Sequence, residues 1–172
     1  MWTFWALFMI AAAGVLMPGR LPARQAASLF WTIGIFFALI IGLRHEVGGD
    51  WFNYIPHFLD ASRMDFAEAA AMPDPGHYVL NMWVARLGGD IYAVNLIYAA
   101  VPMWGTVVFC RHQRNPWLAL LAAVPYMLIV VGMGYTRQSV ALGFALLGLV
   151  ALGEQRIRRF VLLIGFGALF HK

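Results

Sequence analysis

Apolar residues fall into long runs separated by short polar stretches, and the lengths of the runs set the architecture. A helix needs about 20 apolar residues, in a range of roughly 17 to 25, to cross the hydrocarbon core of a bilayer. The run "MWTFWALFMIAAAGVLM" (1–17) ends at Pro18 and Gly19, and "SLFWTIGIFFALIIGL" (28–43) lies between Arg24 and Arg44. "IYAVNLIYAAVPMWGTVVFC" (91–110) carries Pro102 as a kink site, "PWLALLAAVPYMLIVVGM" fills 116–133, and a fifth run occupies 136–152. After "EQRIRR" a sixth run begins at Phe160 and stops at Lys172, short of a full crossing. The pattern predicts an all-α, polytopic transmembrane bundle of about six spans. It reads as a single membrane domain over 1–172, an incomplete N-terminal fragment of a longer bundle. The polar stretch 44–90 is too long for a turn, and "HYVLNMWVARLG" within it predicts a short amphipathic or re-entrant helix at the membrane surface.

Composition agrees with the runs. The chain is 62% hydrophobic and 12% charged, with a mean hydropathy of +0.74, outside the range of soluble domains. A net charge of +4 raises nucleic acid as a partner, but the arginines are dispersed and no basic stretch is interleaved with stacking aromatics. Nucleic acid is therefore set aside. Cys110 is the single cysteine, so one chain can build neither a disulfide framework nor a thiolate metal site, and it reads as a small apolar helix residue. The first run lacks the positively charged start of a signal peptide and is read as a span. No repeat of fixed period and no low-complexity segment occurs.

Cytoplasmic loops carry the excess of Lys and Arg. With the first connection inside, the inner loops hold Arg20, Arg24, Arg111, Arg114, Arg156, Arg158 and Arg159. The longer outer stretches hold Arg44, Arg63, Arg86, Arg137 and Lys172. An outward N-terminus is expected, which puts "GLRHEVGGDWFNY" (42–54), "GYTRQ" (134–138) and the terminal "HK" on one outer face.

Those three clusters carry the candidate chemistry. Arg137 stands at the expected N-terminus of the fifth span, where the helix dipole disfavours a cation. It either snorkels to the head groups or joins free backbone N–H groups in binding a phosphate. Tyr135 and Gln138 beside it either hydrogen-bond a sugar or belong to an interfacial belt. Arg44 and His45 close the second span, where positive charge suits the dipole. The "VGGD" link lets the backbone turn a carboxylate back toward the surface, so His45, Glu46 and Asp50 are alternative general bases, with a solvated loop as the plain reading. There is no HExxH, and His57 and His77 have no partner at ligand spacing, so no metal site and no cofactor is expected. A hydrated divalent cation between Asp50 and phosphate oxygens is the one metal reading left open. No GxSxG, Walker loop or GxGxxG occurs. Ser139, Ala141, Gly143 and Ala145 form small-xxx-small pairs that read as helix packing.

The ordered set "RHEVGGDWFNY", "DPGHY", "GYTRQSVALGFAL" and "LFHK" resembles the EpsG family of bacterial exopolysaccharide clusters, regarded as related to Wzy-type polymerases. Trp51 departs from the tyrosine common in the family after the aspartate. The resemblance covers nearly the whole chain and implies further spans beyond the histidine-lysine motif. It also implies a multi-pass protein of the bacterial inner membrane that extends a polysaccharide on the outer face from polyprenyl-pyrophosphate-linked oligosaccharides. Membrane lipids and other polysaccharide assembly proteins are the remaining partners it implies. Under that resemblance Arg137, with Arg44 or Lys172, stabilises the departing pyrophosphate. His45, Glu46 or Asp50 deprotonates the acceptor sugar, and Trp51, Phe52 and Tyr54 stack on sugar rings. Tyr135, Gln138, His171 and Lys172 complete the candidate substrate-binding set. A non-catalytic scaffold or export component, and a lipid-linked sugar ligase or glycosyltransferase, are the competing functions.

Overall fold

The computed structural model describes residues 2–17 and 22–171, so Pro18, Gly19, Arg20 and Lys172 lie outside the described residues. Every regular element among them is helical. The helices are α1 (Trp2–Leu16), α2 (Ala23–Gly42), α3 (Trp51–Arg63), α4 (Phe66–Ala70), α5 (Pro75–Arg86), α6 (Ile91–Arg111), α7 (Pro116–Gly134), α8 (Thr136–Gly153) and α9 (Ile157–Ala168). Of these α2, α6, α7 and α8 are long and apolar enough to cross a membrane, while α1 is apolar but shorter. The fold class is the expected all-α bundle.

Helix α6 is central. It packs against α2 on one side and α8 on the other, α9 lies along α8, and α1 lies along α7. Close approach depends on glycine. A Cβ at Gly105 would overlap the carbonyl oxygen of Gly143, and one at Gly143 would come 2.6 Å from the Cα of Pro102. The backbones of α6 and α8 therefore touch, the packing mode that small residues permit in membrane bundles. Pro102, expected as a kink, lies inside α6 at this contact. In α7 the stretch Val124–Val131 is π-helical, with Pro125 in its first turn, where the missing N–H loosens the α-helical ladder.

Helices α3, α4 and α5 form a polar cap over one end of the bundle. The expected surface helix is α5, but α3 and α4 also fold from what the sequence pattern left as loop. In α3 the buried positions Trp51, Tyr54 and Ala61 fall on one helical stripe. In α4 a capping box closes the first turn: Asp65 accepts from the Glu68 N–H at 2.8 Å, and Glu68 accepts from the Asp65 N–H at 2.8 Å. Asp90 caps α6 by accepting from the N–H groups of Tyr92 and Ala93. Several acids of the polar stretch are thus spent on helix ends. Helix α2 begins at Ala23, earlier than the apolar run, and so takes in Arg24. Helix α9 begins at Ile157 and takes in Arg158 and Arg159.

Candidate functional site

Three stretches far apart in sequence converge where the cap meets the bundle. Arg137, in the first turn of α8, donates from Nη1 to Asp74 Oδ2 at 2.6 Å across 63 positions of sequence. Asp74 immediately precedes α5, which starts at Pro75, a residue whose fixed φ and absent N–H suit the first helical position. The guanidinium also lies over the Tyr54 ring of α3, 5.8 Å from its centroid. The cationic residue that the helix dipole disfavours is therefore compensated within the fold by a carboxylate. One N–H of five is engaged by Asp74, and the side chain stays partly exposed on its open side.

That open side is a cavity of about 390 Å³ lined by Asp50, Asn53, Tyr54, Pro56, His57 and Arg137. Asp50 and Arg137 stand on one wall system. Asp50 Oδ1 accepts a long hydrogen bond of 3.4 Å from Asn53 Nδ2.

Beneath the cavity lies a network of buried polar rings. His77, 1% exposed, has Nδ1 2.7 Å from the Tyr98 hydroxyl of α6, and Asn81 Nδ2 donates to the His77 carbonyl at 2.7 Å. The His77 ring lies 5.7 Å from both the Tyr54 and the His57 rings. His77 Nε2, Asn81 Oδ1, Thr136 Oγ1 and His57 Nδ1 are buried without a hydrogen-bond partner among the described residues. Burial, reinforced by Arg137 and His57, lowers the His77 pKa to about 3; burial and then Arg137 lower that of His57. At neutral pH both imidazoles are neutral, and each has a ring nitrogen without a partner.

A pH dependence follows. Between pH 6.5 and about 3 the unfolded chain binds a proton at His77 that the folded cap excludes, so stability rises with pH across this window. His77 is expected to contribute a loss of roughly 1 kcal/mol per pH unit on acidification from 6.5 toward about 3. Protection factors of α5 amides, which correct for the slower intrinsic exchange in acid, should fall accordingly, and His77→Phe should flatten the dependence. An unchanged slope in that variant would remove His77 as its source.

The remaining candidates are dispersed. Arg44 is buried and donates to the carbonyls of Ile41 at 2.8 Å and Val47 at 3.1 Å, closing the C-terminal end of α2. Its guanidinium lies over Trp51, 5.9 Å from the ring, and burial lowers its pKa to about 10. His45 pairs through Nδ1 with the Tyr92 hydroxyl at 2.6 Å, and Trp51 packs edge-on against the His45 ring. Glu46 is exposed, 3.8 Å from His45, on a backbone with φ of 50°. This group faces Tyr92, and none of its residues lines the cavity of Arg137. Tyr135 is 48% exposed at the C-terminal end of α7, Gln138 is half-buried one residue beyond Arg137, and His171 is exposed. Lys172 lies outside the described residues. The segment before His171 reaches the cap: the Gly76 N–H donates to the Leu169 carbonyl at 2.8 Å, and Phe170 packs on Tyr98.

Asp74, His57 and His77 are the residues that sequence reasoning left out of the site. The histidines were weighed only as metal ligands, and among the described residues no group of three His, Cys, Asp or Glu side chains is placed to hold a metal ion. A signal for His57 was present, since it follows Tyr54 by three positions and so shares its helical face.

The geometry defines a helical membrane protein whose polar cap holds a cavity lined by Arg137 and Asp50 against the end of the bundle. The chain belongs to the EpsG family, whose model matches residues 28–172, a family associated with exopolysaccharides and Wzy-like polymerases. All four family-like motifs meet here, with "DPGHY" bonded to "GYTRQ" through Asp74 and to "LFHK" through Gly76. No curated protein and no solved structure matches the chain.

Proposed function

We propose that this chain contributes the transfer site of a polysaccharide polymerase acting on polyprenyl-pyrophosphate-linked oligosaccharides at the outer face of the bacterial inner membrane. The observation that carries the reading is that Arg137 and Asp50 line one cavity. An acceptor sugar hydroxyl attacks the anomeric carbon of the donor. Its proton passes to the Asp50 carboxylate, the new glycosidic C–O bond forms, and the anomeric C–O bond to pyrophosphate breaks. Lipid pyrophosphate leaves with added negative charge, and the Arg137 fork stabilises it. Asp74 is a positioning residue that holds the guanidinium in place. Tyr54, buried under the guanidinium, helps hold Arg137 in place, and neutral His57 is a second proton acceptor beside the same cavity. The N-terminus lies outside in this reading, because Phe4 at the start of α1 shares a hollow with Gly49 and Tyr135 at the cap end.

Reconstitution into vesicles with defined lipid-linked donor and acceptor tests the proposal. Repeated transfer should give a ladder of products on the side where, in a Cys110-free background, an impermeant thiol reagent labels a cysteine placed at the exposed Ala67 of α4. A single transfer would identify a ligase, no transfer with intact donor binding would favour a scaffold, and product on the opposite side would remove the transfer site from the cap.

A further inference from the structure

Apolar hollows within the bundle reach up to the neighbourhood of the cap-end cavity. Between α1 and α7 lies an apolar hollow of about 320 Å³ lined by Phe4, Trp5, Phe8, Pro125 and Ile129. A second hollow of about 240 Å³ shares Phe4 and Ile129 with it and extends to Gly49, Met133, Gly134 and Tyr135. The two therefore form one trough. It contains no charged lining residue, and its upper end stops one residue short of Asp50 and two short of Arg137. Two chain segments thus run from its wall to the wall of the polar cavity, so the two lie side by side without sharing a lining residue.

Glycines shape the pass. Gly48 has φ of 108°, and a Cβ there would overlap the Met133 carbonyl oxygen, so the loop sits directly on the end of α7. At Gly49 and Gly134 a Cβ would meet nothing within 4 Å. Both border the upper hollow, where the absent side chains leave its cap end open.

We propose that this trough seats the hydrocarbon chain of the isoprenoid lipid carrier whose phosphate is held by Arg137, an assignment that rests on the function proposed above. Charge and shape agree on the occupant. A lipid with an anionic head and a long apolar chain matches the Arg137 fork with an uncharged trough ending beside it. The apolar groove between α2 and α6, walled by Trp31, Gly34, Leu39, Leu96 and Trp104, lacks that continuation. At its cap end Arg44 is bonded to backbone carbonyls and His45 to Tyr92.

The test uses the full chain in lipid nanodiscs and a long-chain polyisoprenyl phosphate bearing a diazirine midway along its hydrocarbon. Photolabelling should map to α1 near Phe8 and α7 near Pro125, and unlabelled polyisoprenyl phosphate should compete where excess phosphatidylglycerol does not. Gly134→Leu, placed where added atoms meet open space, should need at least tenfold more probe for half-maximal labelling. In the same variant, protection of Arg137 from phenylglyoxal by inorganic pyrophosphate should be unchanged. Labelling confined to the α2–α6 groove, equal competition by phosphatidylglycerol, or no effect of Gly134→Leu overturns the trough and leaves the anion site standing. Loss of pyrophosphate protection in the unmodified chain strikes the transfer site instead, while the labelling pattern still decides the trough.

Discussion

Replacing Arg137 with alanine is expected to lower glycan transfer by about 10²- to 10³-fold, the effect of removing one preorganised donor to developing negative charge. Arg137→Lys keeps the charge but loses the planar fork, so it should fall between wild type and alanine. The alanine variant also leaves the Asp74 carboxylate, whose side chain is only 15% exposed, without its cation, and that alone strains the cap. The double change Asp74→Asn with Arg137→Met removes both charges. It should recover native helix content and thermal stability in detergent while transfer stays lost. The measurements are product-ladder length and initial rate in vesicles, with circular dichroism as the folding control. Full-length product at the normal rate from Arg137→Ala would end the role assigned to this residue, and activity in the double variant would do the same.

What the sequence disclosed follows the range of the interactions involved. The spans at 91–110, 116–133 and 136–152 lie within a residue of α6, α7 and α8, because burial in lipid is decided by run length alone. The start of α2 was less legible: Ala23, Arg24 and Gln25 are good helix formers that continue the helix past the apolar boundary. Helices α3 and α4 escaped because Gly48, Gly49, Pro56 and the scattered acids read as loop chemistry. The spacing of Trp51, Tyr54 and Ala61 was the signal that identified α3's inner face.

The site divides in the same way. Arg137 stood out because a cation at a helix N-terminus needs compensation, a local argument that identifies the residue but not its partner. The partner is Asp74, 63 positions away, and no spacing rule reaches that far. "GLRHEVGGDWFNY" looked like one polar knot, yet the fold splits it. Arg44 turns to the backbone of α2, His45 to Tyr92, and only Asp50, Asn53 and Tyr54 of its members face Arg137. A turn at Gly48, seated on the Met133 carbonyl, makes that division.

The largest effect on folding is expected at the crossing of α6 and α8. Gly143→Ala places a methyl group 2.6 Å from the Cα of Pro102, and the contact is with backbone, so no rotamer change relieves it. Overpacking of this kind costs about 1–3 kcal/mol, and Gly143→Leu should prevent assembly altogether. Gly105→Ala meets the Gly143 carbonyl oxygen from the other side, and the two alanines should combine non-additively because one separation of the helices relieves both. Gly165→Ala in α9, where an added Cβ meets nothing within 4 Å, is the control, expected to be neutral or stabilising by up to ~1 kcal/mol. Detergent-denaturant unfolding followed by circular dichroism reads all five variants, the double alanine included. Because Arg137 rides on the first turn of α8, displacement of that helix also lengthens its reach to Asp74. Gly143→Ala should therefore lose transfer activity beyond its loss of folded protein, whereas activity that tracks the folded fraction alone would uncouple the crossing from the site.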